Sequence, residues 1–224
     1  EGLFRLSDPV AKYIPEFTDL KVAAGQGTDG PLVEDANHAM TIRELMSHTG
    51  GLSYGIFSAS QVDDLYREAD VLDRNGTLKD MIDKLGEIPL RQQPGSMWHY
   101  SVSVDVQGYL VEQLSGQPLG EFLQDRIFAP LGMVDTAFYV PAEKTGRVAA
   151  MHAVTRDSGL TPSYEGRGAL RTSPPAGPSG GGGLYGTATD YIRFAQMLLN
   201  EGELNGVRLL SPRSIEMMRT NHLT

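Results

Sequence analysis

Helix starts and helix breakers alternate along this chain at short intervals, and that punctuation restricts the possible folds more than any other feature. Thr41-Ile42-Arg43-Glu44 puts threonine at an N-cap with an acid three residues on, a pair that satisfies two orphan N–H groups. Thr77-Leu78-Lys79-Asp80 and Thr187-Ala188-Thr189-Asp190 repeat the logic. Gly116 and Gly202 end helices in the position where a left-handed residue is needed, and Pro118 and Ser211-Pro212 open new ones. The pattern predicts about eight helices and few strands. The longer ones cover 61–72, 77–85, 103–115, 118–130 and 187–200, with a short helix or turn over 9–17. Thr136–Val140 and Arg147–Val154 read as β-like, and Asn205-Gly206 is a tight-turn signal. Residues 23–37 and 157–183, rich in Gly, Pro and acids or serines, read as loops. Loops of that length rule out a plain helical bundle.

The 224 residues suffice for one large domain or two small ones with a real core. A formal charge of −9, with no basic block, argues against nucleic acid, which is bound through Lys and Arg. No cysteine is present, so disulfides, thiolate metal sites and a cysteine nucleophile are excluded, while cytoplasm and periplasm both stay open. No apolar run reaches the ~18 residues of a membrane span. The start, Glu1-Gly2-Leu3-Phe4-Arg5, has neither an initiator Met nor a signal-peptide pattern, and the expectation is a chain that begins inside a longer one.

Few residues carry chemistry. The five histidines, at 38, 48, 99, 152 and 222, form no metal-binding spacing, so no metal is expected. Gly177-Pro178-Ser179-Gly180-Gly181 matches a Gly-x-Ser-x-Gly elbow in letters, but prolines precede it and glycines follow. A glycine loop leading into the 187–200 helix reads better. No serine is followed three residues later by lysine. That leaves Pro94-Gly95-Ser96-Met97-Trp98-His99-Tyr100-Ser101-Val102: a turn, the single tryptophan, then a tyrosine just ahead of a helix. Two readings of Tyr100 stand, an acid–base tyrosine or an aromatic plug between helices.

The segments, in order, resemble the serine β-lactamase superfamily in its class C-like branch, with its family VIII carboxylesterase and D-alanyl-D-alanine carboxypeptidase relatives. The resemblance rests on Leu6-Ser7-Asp8-Pro9-Val10, Met40–Leu52 with its Ser47-His48-Thr49-Gly50-Gly51, and Pro94-Gly95-Ser96 with Tyr100-Ser101-Val102. Pro130–Thr136 and Ser179–Gly183 leading into Asp190 extend it over nearly the whole chain.

This resemblance implies an α+β fold, a helical lobe plus an antiparallel sheet flanked by helices, of which this chain is mostly α-helical with few strands. Residues 1–186 would be mainly the helical lobe, and 187–224 helices that pack on the sheet lobe. It also implies a serine hydrolase acting through an acyl-enzyme, without cofactor or metal, on a small-molecule ester or β-lactam. Tyr100 falls on the catalytic tyrosine, as general base or proton relay; a free phenol has a pKa of ~10, so it needs nearby cations to act as base. Val102 takes the substrate-binding position that holds Asn in the family motif, and Val cannot bond a substrate amide, which points to a carboxylesterase. A β-lactamase or D-alanyl-D-alanine carboxypeptidase is the alternative, and a non-catalytic truncated scaffold is another. The Ser-x-x-Lys helix and a C-terminal Lys/His/Trp-Gly-Gly-like strand are absent, so the chain resembles the central portion of such an enzyme. Its uncovered helix faces imply self-association.

Overall fold

The structure, a computed structural model, describes residues 2–57, 59–155, 159–163 and 170–223. Caps set the helix starts. Thr41 Oγ1 accepts from the Glu44 N–H at 3.3 Å, and Glu44 Oε2 accepts from the Thr41 N–H at 2.8 Å. This reciprocal box opens α1 (Ile42–Met46). Thr77 and Asp80 make the same pair before α3 (Leu78–Gly86). A third box, Ser60 with Asp63, opens α2 (Gln61–Glu68) and went unread in the sequence, where the helix starts at Gln61.

The longest helix, α4 (Ser103–Ser115), starts directly after Val102 and stops at Gly116, whose φ of 68° is the left-handed end the glycine permits. Its neighbours in space are α1, α3 and α5 (Leu119–Leu123). Ile42 and Leu45, Met81, Ile82 and Leu85, and Val106, Tyr109 and Leu110 share one buried cluster with Val10 and Ile14 from two short 3-10 turns. Each fully buried Leu or Ile contributes about 1.5–3 kcal/mol, so this cluster holds the segments around Tyr100 in place.

From α5 the chain continues through a wider π-helical turn, Gln124–Phe128, into α6 (Ala129–Leu131), which Gly132 ends at φ 65°. Phe128, Leu131 and Met133 form a second, smaller core with Met197 of α7 (Ala188–Leu199). Asp190, buried near the start of α7, accepts from the Asp135 N–H at 2.7 Å and the Thr136 hydroxyl at 2.8 Å. The last helix, α8 (Pro212–Arg219), follows a Ser211 cap.

The described strands form three two-stranded antiparallel sheets. One corrects the sequence reading. Residues 23–37, expected as a loop, hold most of β1 (Lys21–Gln26) and all of β2 (Pro31–Asp35), paired with a register shift between Ala23 and Gly25. Their side chains are mostly exposed, so no alternation of apolar and polar marks them, and the glycines belong to the hairpin turn and bulge. A second pair, β3 (His152–Thr155) with β4 (Gly159–Pro162), falls partly in the stretch expected to lack regular structure. The 147–154 strand begins only at His152, because Ala142–Arg147 is a 3-10 turn. Thr136–Val140 is reduced to a single bridge between Ala137 and Tyr185. The Asn205-Gly206 turn joins β5 (Glu203–Leu204) to β6 (Val207–Arg208), with φ of 50° and 81° as an Asn-Gly hairpin turn requires. Among the described residues, no helix is long and apolar enough to cross a membrane.

Candidate active site

The segment 94–102 is laced to the segment 48–53 by its backbone. The Gly95 N–H donates to the Thr49 carbonyl (2.9 Å), His99 N–H to the His48 carbonyl (2.9 Å), and Val102 N–H to the Ser53 carbonyl (3.1 Å). Gly95 takes φ 78°, and a Cβ there would stand 2.8 Å from Glu44 Oε1. Glycine is therefore required where the Pro-Gly turn passes the α1 capping box.

This lacing sets Tyr100 among rings. The centroid of its phenol lies 5.0 Å from His48, 5.1 Å from Tyr54, 5.8 Å from Phe57 and 6.3 Å from Trp98, the last stacked at 18°. Tyr100 is 43% exposed. It is no plug between helices; it belongs to a partly exposed aromatic cluster.

The two histidines beside Tyr100 are anchored differently. His48 Nδ1 lies 3.3 Å from the Ser101 N–H, which donates to it, and 3.1 Å from Ser101 Oγ. An Nδ1 that accepts from a backbone N–H leaves the ring proton on Nε2. Burial, and then the neighbouring His99, hold the pKa of His48 below its ordinary value. His99 Nε2 lies 3.3 Å from Ser53 Oγ, which donates to the buried Asp63 at 2.5 Å. Asp63 is paired with Arg91 at 3.0 Å. Burial and Arg91 lower the pKa of His99, with Asp63 opposing. Neither imidazole therefore adds a positive charge beside the phenol near neutral pH.

Val102 closes the segment just before α4. It has no exposed surface and belongs to the main core. Its side chain is packed inward in that cluster.

Five residues after Tyr100, Asp105 clasps the glycine loop. Ser179 Oγ donates to Asp105 Oδ1 at 2.5 Å and the Gly181 N–H donates to the same oxygen at 3.1 Å. Gly180 lies against the first turn of α4, where a Cβ would come within 2.2 Å of the Val104 carbonyl oxygen. Ser179 thus has a structural partner, with no strand before it and no helix straight after it; the elbow reading fails. Among the described residues no three His, Cys, Asp or Glu side chains are grouped to hold a metal.

A family model described as Beta-lactamase matches residues 1–224. The chain belongs to the Beta-lactamase family. Protein Rv1367c of Mycobacterium tuberculosis (strain ATCC 25618 / H37Rv) is 37% identical to this Beta-lactamase-family chain over 227 residues, covering 100% of it and 55% of the relative. Esterase EstB of Burkholderia gladioli is 36% identical over 212 residues, covering 88% and 51%. Among solved structures, EstCE1, a hydrolase with promiscuous acyltransferase activity, superposes with a TM-score of 0.73 at 26% identity, covering 99% of this chain and 58% of that one. The chain spans about half the length of the curated relatives it matches.

Within this Beta-lactamase-family fold, the sequence singled out Tyr100 but not the residues around it. His48 stood in the quoted Ser47–Gly51 run without a role. Tyr54 and Phe57 carried no signal, because their proximity to Tyr100 depends on the lacing of two segments about 45 residues apart. Asp105 had one: it is the acid in the first turn of α4, and a carboxylate buried there demands a partner.

Proposed function

We propose that these residues supply the proton-handling tyrosine of a serine hydrolase that works through an acyl-enzyme and acts on small carboxylic esters. Tyr100 carries the reading: a phenol 43% exposed, ringed by His48, Tyr54, Phe57 and Trp98, on backbone fastened on both sides. The kinship to Esterase EstB supports the substrate class.

In this reading the serine and lysine lie outside residues 1–224, since no serine here is followed three residues on by lysine. Tyr100 relays: its phenol oxygen takes the serine proton as the serine oxygen bonds to the acyl carbon, while its own hydroxyl proton moves on toward the ester oxygen. The ester C–O bond then breaks and the proton passes to the departing alkoxide. Water repeats the sequence on the acyl-enzyme and frees the acid. Position 102 offers an amide no polar partner, because Val102 is packed inward, and this favours esters over β-lactams and peptides. By the same reading, 1–186 is mainly the helical lobe, and 187–224 supplies helices for the sheet lobe.

The test is the full-length protein with Ser-x-x-Lys included, assayed on p-nitrophenyl butyrate and nitrocefin. Efficient ester turnover and little nitrocefin turnover are expected. Tyr100→Phe lowers kcat by roughly 10²–10⁴-fold with little change in KM. Efficient nitrocefin hydrolysis with negligible esterase activity would overturn the ester assignment. A fluorophosphonate probe leaves the 224-residue chain unlabelled; a labelled serine would place the nucleophile inside it.

A further inference from the structure

Behind Tyr54 the surface opens into a cleft of ≈ 560 Å³, walled by Val71, Leu72, Leu78, Met81, Phe138 and Leu184. That volume suits a drug-sized molecule, and apolar walls with a few convergent polar groups are the usual make-up of a ligand pocket. Among the described residues, the charged ones along it are Asp73, Arg74, Asp105 and Arg171. The two acids are turned to the protein's own donors. Asp105 is only 4% exposed, and its Oδ1 accepts from Ser179 and from the Gly181 N–H. Asp73 Oδ1 accepts from the Asn75 N–H at 2.9 Å, within its own turn.

Arg171 is arranged differently. Its backbone is pinned on both sides: the N–H donates to the Tyr185 hydroxyl at 3.1 Å, and the carbonyl accepts from the Val140 N–H at 2.9 Å. Its half-buried side chain donates from Nη2 to the Arg74 carbonyl, and among the described residues that is the one bond the guanidinium makes. A guanidinium carries five N–H donors in a planar fork. Most of this fork therefore has donors to offer a ligand in the cleft, and the Arg74 carbonyl steadies it before the ligand arrives.

We propose that the cleft binds a monocarboxylate carried on an apolar body, with the Arg171 guanidinium donating to the carboxylate. The planar fork matches the two oxygens of a carboxylate, and a charge-assisted bond is stronger than a neutral one. An ordered fork also loses less freedom on binding. Arg74 adds positive charge to the same cleft, while Asp73 and Asp105 offset it, so one negative charge on the ligand is favoured over two. Val71, Leu78, Met81 and Phe138 supply the apolar cover for the rest of the molecule. The site concerns binding and stands apart from the hydrolase reading; failure of either leaves the other in place.

The test is calorimetric titration of the full-length protein with 4-phenylbutyrate, 4-phenylbutan-1-ol and 4-phenylbutylamine at neutral pH. The acid is expected to bind on the order of 10–100-fold tighter than the alcohol, with the amine weakest. Arg171→Met keeps an apolar stem and the backbone bonds to Tyr185 and Val140. In that variant the acid is expected to fall to the affinity of the alcohol, while the alcohol binds as before. Arg171→Lys keeps the charge without the planar fork and is expected to retain only part of the preference. Equal binding of acid and alcohol by the wild-type protein overturns the proposal. So does an acid preference undiminished in Arg171→Met, or no binding of any probe at millimolar concentration. If Arg171→Met fails to fold, Arg171→Lys decides in its place: an undiminished acid preference there overturns the assignment to the fork.

Discussion

The imidazole of His48 lies 5.0 Å from the phenol ring of Tyr100, centroid to centroid, and a left-handed backbone at His48, φ 57°, holds it there. A non-glycine residue seldom takes that conformation. Here it lets Nδ1 accept from the Ser101 N–H, one residue beyond Tyr100. The ring and the chain that carries Tyr100 are thus fixed to each other. Protonation would turn Nδ1 into a donor facing a donor.

A pH dependence follows, and its sign is set by which state binds the proton more readily. Burial, and then His99, lower the pKa of His48 from 6.5; burial and Arg91 lower that of His99. The unfolded chain therefore takes up protons first, and stability rises with pH through this range. Stability is complete above the ordinary imidazole value and is lost as pH falls through 6.5 toward the lowered folded values. Thermal unfolding followed by circular dichroism is expected to show Tm falling between about pH 7.5 and 5.5, above the range where ordinary carboxylates titrate. His48→Asn flattens that fall. An unchanged slope in this variant would remove His48 from the account.

The parts legible in the sequence are those governed by a few neighbouring residues. Thr41 with Glu44, Thr77 with Asp80, Gly116 and Asn205-Gly206 each act within about four positions, and each does in the structure what its local chemistry dictates. The β1–β2 hairpin was illegible because neither of its faces is consistently buried, so burial left no period in the letters. The site divides the same way. Tyr100 stood in a motif, whereas the Asp105–Ser179 clasp joins residues 74 positions apart. The inward packing of Val102 was not written in its motif, because burial depends on the distant segments that share its core.

The glycine loop makes a paired test of that clasp. At Gly180 a Cβ would meet the Val104 carbonyl oxygen at 2.2 Å and the Asp105 Cα at 3.2 Å, both on a helix that cannot yield cheaply. At Gly182 the same atom meets nothing within 4 Å. Gly180→Ala is expected to cost about 1–3 kcal/mol, in the range of overpacked sites, while Gly182→Ala stays within about 0.5 kcal/mol. Urea denaturation of the two variants beside the wild type measures the difference. Equal stability of the two would mean the loop is not seated against α4.

Asp63 is the most demanding polar group of the fold. It is wholly buried, caps α2 through Ser60, accepts from the Ser53 hydroxyl and pairs with Arg91, whose side chain is 28% exposed. Removing the acid takes away the charge partner of a partly buried guanidinium and an acceptor of the Ser53 hydroxyl together, and breaking a buried pair costs about 3–5 kcal/mol. Because water still reaches Arg91, the lower end is expected for Asp63→Ala. Ser53 also faces His99, so the loss should reach the aromatic cluster around Tyr100. Trp98, the single tryptophan, stacks on Tyr100, and its fluorescence in the folded variant is the readout. A destabilised protein with unchanged tryptophan emission would confine Asp63 to the scaffold.

The last prediction concerns the far side of α7. Met197, Phe194 and Leu198 turn toward the second core, as a 3.6-residue period requires. Ile192 and Leu199 point the other way and are 64% and 75% exposed. Met217 and Met218 on α8 are exposed as well. A helix apolar on both sides ordinarily has both covered, and exposed apolar patches drive association when large. For the 224-residue chain the available cover is a second copy. Sedimentation velocity at tens of micromolar is expected to show dimers or larger species, and the double variant Ile192→Lys, Leu199→Lys shifts the population to monomer. Both changes sit on the face away from Met197, so the thermal transition of the monomer should survive them. A wild-type chain that runs as a monodisperse monomer with a sharp transition would show that this face is stable in water.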